Sequence, residues 1–245
     1  EFAFVLCAAA TAFGILDAEE NVILTAIIIV SMALTPLLVI LHDRLTPAAA
    51  PSMAGVEIAD GLSGSVLLIG FGRFGQIVSQ PLLARGFSIS IIENDTEMIR
   101  AAEQFGFKVY YGDGARLDIL RAAGADTAQI IICAADDREA AVKIAEIVRT
   151  EFPLTPLLMR SFDREHAIAL VEAGASWQIR ETLGSAFDTG EEALRRLDLK
   201  EEEIAETMAE TRRRDAERFE LDRVGGLAAG RGLIIGNLPG SDTAV

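Results

Sequence analysis

The residues best placed to do chemistry are three glycines and the charges around them. Gly70, Gly72 and Gly75 fall in G-F-G-R-F-G, directly after the apolar run Val66–Ile69. A G-x-G-x-x-G that ends a strand and opens a helix forms a phosphate cradle. The first glycine makes the tight turn, the second lets backbone N–H groups approach a phosphate, and the third lets helix and strand pack closely. The helix beginning near Arg73 turns its positive end toward the anion. Glu93 lies 23 positions after Gly70, at the end of the next apolar run. An acid there accepts hydrogen bonds from a ribose 2′-hydroxyl and repels a 2′-phosphate, which favours NAD(H) or another adenine nucleotide over NADP. Phe71 and Phe74 of the loop, Asn94 beside Glu93, and Ala134 at a strand end are counted in the same nucleotide site. Asp113 and Asp136 follow further strands and read either as ligand contacts or as helix N-caps. Arg73 reads as an anion contact or as a solvated cation. Arg160 and Arg180 follow the fifth and sixth strands and read as anion contacts or as structural ion pairs.

Other chemistry is poorly provided for. The two histidines are His42, beside an apolar stretch, and His166, within a helix, and no H-E-x-x-H or Ser/His/Asp set occurs. Cys7 and Cys133 form neither a disulfide framework nor a metal-ligand spacing, and they suit a reducing cytosol. The formal charge of -15 argues against a nucleic-acid partner. A membrane-tethered NAD-dependent oxidoreductase is the rival reading from the enzyme class. It needs a proton-transferring residue beside the nicotinamide, and none stands out. The residues after Arg180 offer no substrate domain of the kind a dehydrogenase carries.

The elements that must hold these residues alternate strictly. Strands are predicted over 66–69, 87–92, 107–111, 129–134, 156–159 and 176–179. Helices are predicted between them over 74–85, 95–105, 115–123, 136–151 and 163–173. This order means an α/β fold with a doubly wound, parallel, Rossmann-like sheet. The ligand crevice falls where strand order reverses, at the carboxyl ends of strands one and four. Two charged helices, 186–197 and 201–219, follow with few large apolar residues. They cannot bury a core alone and read as a dimerisation arm over 182–221. Residues 222–245, rich in glycine, read as a disordered tail.

The N-terminal part has a different character. Val22–Leu41 carries no charge, and its twenty residues match the ~30 Å hydrocarbon core of a bilayer. Phe2–Leu16 is apolar but too short to span alone. The segment 1–45 reads as transmembrane helices, and 46–64, small and Pro/Gly-rich, as a linker. Arg44 follows the span whereas the loop Asp17–Asn21 has no cation, so the positive-inside tendency puts the later residues in the cytoplasm. The chain opens at Glu1 inside an apolar run and reads as the C-terminal piece of a longer membrane protein.

The motifs S-M-A-L-T-P-L-L (Ser31–Leu38), G-F-G-R-F-G-Q (Gly70–Gln76), F-G-F-K-V-Y-Y-G-D (Phe105–Asp113), R-L-D-I-L-R-A-A-G-A (Arg116–Ala125), A-A-D-D (Ala134–Asp137) and R-E-T (Arg180–Thr182) carry a resemblance. Over most of 2–219 the chain resembles the C-terminal part of Kef-type, glutathione-regulated potassium:proton antiporters with their RCK (TrkA-N) domain. The resemblance implies a multi-pass protein of the cell inner membrane that exchanges K+ for H+ and is gated by a dimeric cytoplasmic RCK domain, with room for an ancillary cytoplasmic regulator. It implies AMP or NAD(H) at Gly70, Gly72, Gly75, Glu93 and Asp113, and glutathione as a second effector with Arg73 as its contact. A nucleotide-gated subunit of a K+ channel or uptake system is the other transport reading. Two departures stand out. Glu93 replaces the family's Asp, and Asp215 takes the place of an Asn in the segment Arg212–Asp215, where a carboxylate repels those of glutathione.

Overall fold

A computed structural model of the chain describes residues 2–45 and 53–236. They divide into two units, Glu1–Ser52 and Met53–Val245.

The first unit is helical, with α1 (Phe2–Ala12) and α2 (Ala18–Leu45). Asp17 and Glu20 cap α2 reciprocally: the Glu20 N–H donates to Asp17 Oδ1 at 2.8 Å, and the Asp17 N–H to Glu20 Oε2 at 3.0 Å. This cap starts the helix four positions before the uncharged run at Val22. Pro36 lies inside it. Ala18–Leu41 is long and apolar enough to cross a membrane, and none of it is buried.

The second unit is built on a six-stranded parallel sheet of order β3-β2-β1-β4-β5-β6. The strands are β1 (Val66–Ile69), β2 (Ile89–Glu93), β3 (Tyr110–Tyr111), β4 (Ile130–Cys133), β5 (Leu157–Ser161) and β6 (Trp177–Arg180). Every residue of β1 is buried. Leu67 and Ile69 face one core with Ile131, Leu157 and Met159, while Val66 and Leu68 face the other with Ile91, Ile99 and Ile132. Helices cover both faces, which is why β1 is apolar without alternation. Register is continuous across the middle, where Ile69 stands opposite Ile92 on one side and Cys133 on the other.

The helices are α3 (Arg73–Ala84), α4 (Thr96–Gln104), α5 (Leu117–Ala122), α6 (Arg138–Glu151), α7 (Arg164–Ala173), α8 (Leu183–Arg196) and α9 (Glu201–Gly225). Asp95, Asp137 and Asp163 cap α4, α6 and α7 by accepting backbone N–H bonds.

Two stretches differ from the sequence expectation. Residues 46–52 of the predicted linker lie outside the described residues, but its second half docks on the sheet edge. The Tyr111 N–H donates to the Glu57 carbonyl at 2.7 Å and the Ala59 N–H to the Tyr111 carbonyl at 3.0 Å, a parallel bridge that extends the sheet past β3. Buried Ala59 and the Leu62 N–H bond to the Ala122 carbonyl hold it there. The predicted tail is also ordered at its start. Asp222 is buried on α9, and its Oδ1 accepts from the Gly230 N–H at 2.8 Å, drawing the chain back into a 3-10 turn at Arg231–Leu233. Residues 237–245 lie outside the described residues.

Candidate functional site

The strand order reverses between β1 and β4, and a cavity of about 260 Å³ opens at their carboxyl ends. Four segments line it: the turn after β1 (Gly70, Gly72), the turn after β2 (Glu93, Asn94, Asp95), the turn Gly112–Gly114 after β3, and Ala134–Asp137 after β4. Seven of the eleven sequence-predicted nucleotide residues therefore meet in one place: Gly70, Gly72, Glu93, Asn94, Asp113, Ala134 and Asp136.

The three glycines have different reasons to be there. Gly70 has φ +89°, and a Cβ would lie 2.9 Å from the Ala134 carbonyl group. At Gly75 a Cβ would lie 2.3 Å from the Gly70 carbonyl oxygen. Packing of β1, α3 and β4 demands both. Gly72 is the N-cap of α3 with φ −67°, a conformation open to any residue. A Cβ there would meet only Asp136 Oδ2, at 3.7 Å, an ordinary contact. Nothing in the described protein requires glycine at 72; its missing side chain leaves backbone facing the cavity.

Phe71 and Phe74 are not brought to the cavity. The Phe71 ring is fully buried against Phe107, with centroids 4.9 Å apart, and Phe74 packs on the same core. The Phe71 N–H is engaged too, donating to Glu93 Oε2 at 2.7 Å. Glu93 Oε1 accepts from the Asn94 N–H at 2.7 Å and the Asp95 N–H at 3.0 Å. Glu93 thus bends back to tie the glycine turn to the β2–α4 turn, which its extra methylene allows. Three of about four acceptor sites on its carboxylate are occupied.

Asp113 Oδ1 accepts from the Ala115 N–H at 2.9 Å, closing a local turn two residues ahead of α5. Asp136 is not a helix cap, since Asp137 takes that role through the Ala140 N–H. Asp136 instead meets Arg160, which is 6 % exposed and also reaches Glu181 Oε2 at 3.3 Å. Arg73 stands at the rim, 94 % exposed, with Nη2 3.9 Å from Glu181 Oε1. Glu181, inside the R-E-T motif directly after β6, joins the two arginines, a link that sequence spacing does not show. Cys133 lies below the turn after β4, and burial pushes its thiol up to about 11, so it stays protonated.

Arg180 does not reach the cavity. It pairs with Asp215 of α9, as does Arg164, whose Nη2 lies 2.5 Å from Asp215 Oδ1. Burial alone would raise the Asp215 carboxyl, but Arg180 and Arg164 together hold it below the usual carboxylate range. Arg180 and Arg160 are both engaged in ion pairs within the chain.

A parallel sheet of this order with a glycine-turn crevice defines a doubly wound, nucleotide-type α/β domain, and residues 66–180 match the TrkA-N domain. The chain is 38% identical over 225 residues to a glutathione-regulated potassium-efflux system protein of Haemophilus influenzae, which covers 89% of this chain and 36% of the relative. It is 39% identical over 197 residues to the system protein KefC of Cronobacter sakazakii, covering 80% of this chain and 32% of the relative. The solved C-terminal domain of Kef from Shewanella denitrificans, in an AMP-bound form, superposes with a TM-score of 0.59 at 33% identity, over 65% of this chain and 97% of that one. The chain belongs to the Kef family. It spans about a third of the length of the curated relatives it matches.

Proposed function

We propose that this chain is the nucleotide-sensing part of a Kef-type potassium:proton antiporter, and that an adenine nucleotide binds in the β1–β4 crevice. The observation that carries this reading is Gly72. Its backbone is bare toward the cavity although the protein around it leaves room for a side chain. A ligand that needs close backbone approach explains the glycine. The AMP-bound form of the Shewanella relative supports the same ligand class. Gly70, Gly72, Asn94, Asp113, Ala134 and Asp136 line the site. Arg73 supplies a cation at its rim, and Glu93 holds the loop while keeping one acceptor position for a ribose hydroxyl.

The chain's similarity to potassium-efflux systems supports sensing rather than turnover of the nucleotide. Occupancy shifts the gate by the ligand's differential affinity for two arrangements of a homodimer. The protein sits in the inner membrane as a multi-pass chain with this domain in the cytoplasm, and K+ and H+ are its cargo. Residues 65–181 form the sensor and 182–221 the dimer arm. Glutathione fits less well. Of the candidate anion or glutathione contacts Arg73, Arg160 and Arg180, the last two are held in ion pairs within the chain.

Calorimetry of the whole chain in detergent tests the reading. AMP and NADH bind, and NADPH binds at least about tenfold more weakly than NADH, because Glu93 opposes a 2′-phosphate. Equal NADH and NADPH affinity would remove the role given to Glu93. No binding of any nucleotide would remove the sensor, and steady NADH oxidation would make it an enzyme.

A further inference from the structure

We infer that the stretch 56–64, docked on the β3 edge, is a releasable strand of the sensor, and that a nucleotide in the crevice tightens its docking. Occupancy then sets the length of chain between the sheet domain and α2. The inference rests on the nucleotide reading of the crevice and adds to it the element that responds.

The docking is built from several anchors. Glu57 and Ala59 exchange backbone bonds with Tyr111, at 2.7 and 3.0 Å. Val56 and Leu62 pack on the two opposite cores of the sheet. The Leu62 N–H donates to the Ala122 carbonyl at 2.9 Å, and the Gly64 N–H to Ser90 Oγ at 3.0 Å. Between these anchors the hold is light. Ile58 is 60 % exposed, and the Glu57–Lys108 pair, 3.0 Å apart, is open to solvent on both sides. A stretch with so few buried side chains opens at a lower free energy than the core strands do.

The same edge forms part of the crevice. β3 is two residues long, so Tyr111 has one partner on each side: Glu93 of β2 and Ile58 of the docked stretch. Glu93 lines the crevice, and the residue after Tyr111 begins the Gly112–Gly114 turn that forms one of its walls. The Gly112 N–H donates to the Glu93 carbonyl at 2.9 Å. This turn has no slack. A Cβ on Gly112 would lie 2.8 Å from Ile119 Cγ2, and one on Gly114 2.6 Å from Ile69 Cγ2. Packing of that kind passes a displacement on rather than absorbing it. A ligand held between Glu93 and the turn therefore fixes Tyr111, whose N–H and carbonyl are the two groups that the docked stretch uses.

Release changes the connection to the membrane segment. α2 ends at Leu45 and β1 begins at Val66. With 56–64 docked, the chain between α2 and the sheet domain is 46–55; with it released, 46–65. At about 3.3–3.6 Å per extended residue, docking halves the largest distance that this connection can span. A short connection transmits a movement of the sensor, and a long one takes it up as slack.

Hydrogen exchange of the whole chain in detergent, with and without saturating AMP, reads the docking at the Ala59 and Leu62 amides. AMP slows their exchange at least about fivefold. Ala59→Pro removes the N–H that bonds Tyr111 and releases the stretch. Linkage is reciprocal, so AMP affinity in Ala59→Pro falls by the same factor by which AMP slows exchange in native protein. Glu57→Lys sets a second lysine against Lys108 at an exposed position. It weakens docking without touching the core, lowers AMP affinity by about twofold, and keeps the test decisive where proline unfolds the edge. Native protein that binds AMP with no change at Ala59 and Leu62, or an AMP affinity unmoved in both variants, overturns the inference while leaving the nucleotide site intact. Absence of AMP binding to native protein overturns the site itself, and the inference with it.

Discussion

At the scale of single residues, the glycine turn separates what the fold needs from what a ligand needs. Gly70 and Gly75 are demanded by contacts under 3 Å to backbone, and Gly70 also by its positive φ. Gly70→Ala therefore destabilises the domain by about 3 kcal/mol or more. Gly72→Ala has neither problem and changes stability by less than ~1 kcal/mol. Its methyl group enters the phosphate cradle, so nucleotide affinity drops at least about tenfold. Thermal melts paired with AMP titration of the two variants check this. A Gly72→Ala protein that binds AMP normally would show that the turn is only architectural. The motif assigns the three glycines separate roles from sequence; what the tertiary structure adds is the surroundings of each Cβ direction, crowded at 70 and 75 and open at 72.

At the scale of elements, α9 is tied to the sheet domain by ion pairs as well as by apolar burial. Ile204 and Met208 are its buried apolar residues; farther along, Asp215 faces Arg164 and Arg180, and Asp222 faces Arg164 and Arg218. The pH dependence follows from the lowered Asp215 carboxyl. An unfolded aspartate titrates near about 3.9. A folded value below that means the stabilisation is fully present above pH ~4 and is lost as pH falls through the folded value. Asp215→Asn, which leaves two arginines facing an amide, costs about 1–3 kcal/mol at pH 7 after allowing for its partial exposure. The stability gap between native protein and variant then closes below pH ~4. Urea titrations at pH 7 and pH 3.5 measure it. A gap that widens on acidification would mean that the pairs do not hold the helix. Composition indicated a charged arm needing support, but not that part of this support lies within its own chain.

At the scale of the whole molecule, each unit leaves apolar surface uncovered. Ala18–Leu41 exposes apolar side chains along its length, as a segment bound for a bilayer does. The end of α9 exposes Leu221 and Val224, the latter at 82 %, on a surface shared with Glu217 and Glu220. Under the dimer proposal, with the arm extended past 221 because α9 runs to Gly225, this stripe meets a second copy. Val224→Glu then converts a dimer into a monomer in light scattering, while the melting temperature of the isolated protomer fold shifts little, since the side chain packs on nothing in its own chain. Persistence of the dimer in Val224→Glu would place the interface elsewhere.

What the sequence determined by itself is local in origin. Strand and helix order, the glycine turn and the long apolar helix all follow from periodicity and φ preference. What the tertiary structure decided is the pairing of long side chains from distant positions. It placed Glu93 on the loop of Phe71, Arg160 between Asp136 and Glu181, and Arg180 on Asp215 thirty-five positions away. It also placed the supposed linker on the sheet edge and turned the supposed tail back on Asp222. A charge is equally attracted to every opposite charge in a sequence; distance selects among them, and distance is set by how the sheet and helices pack.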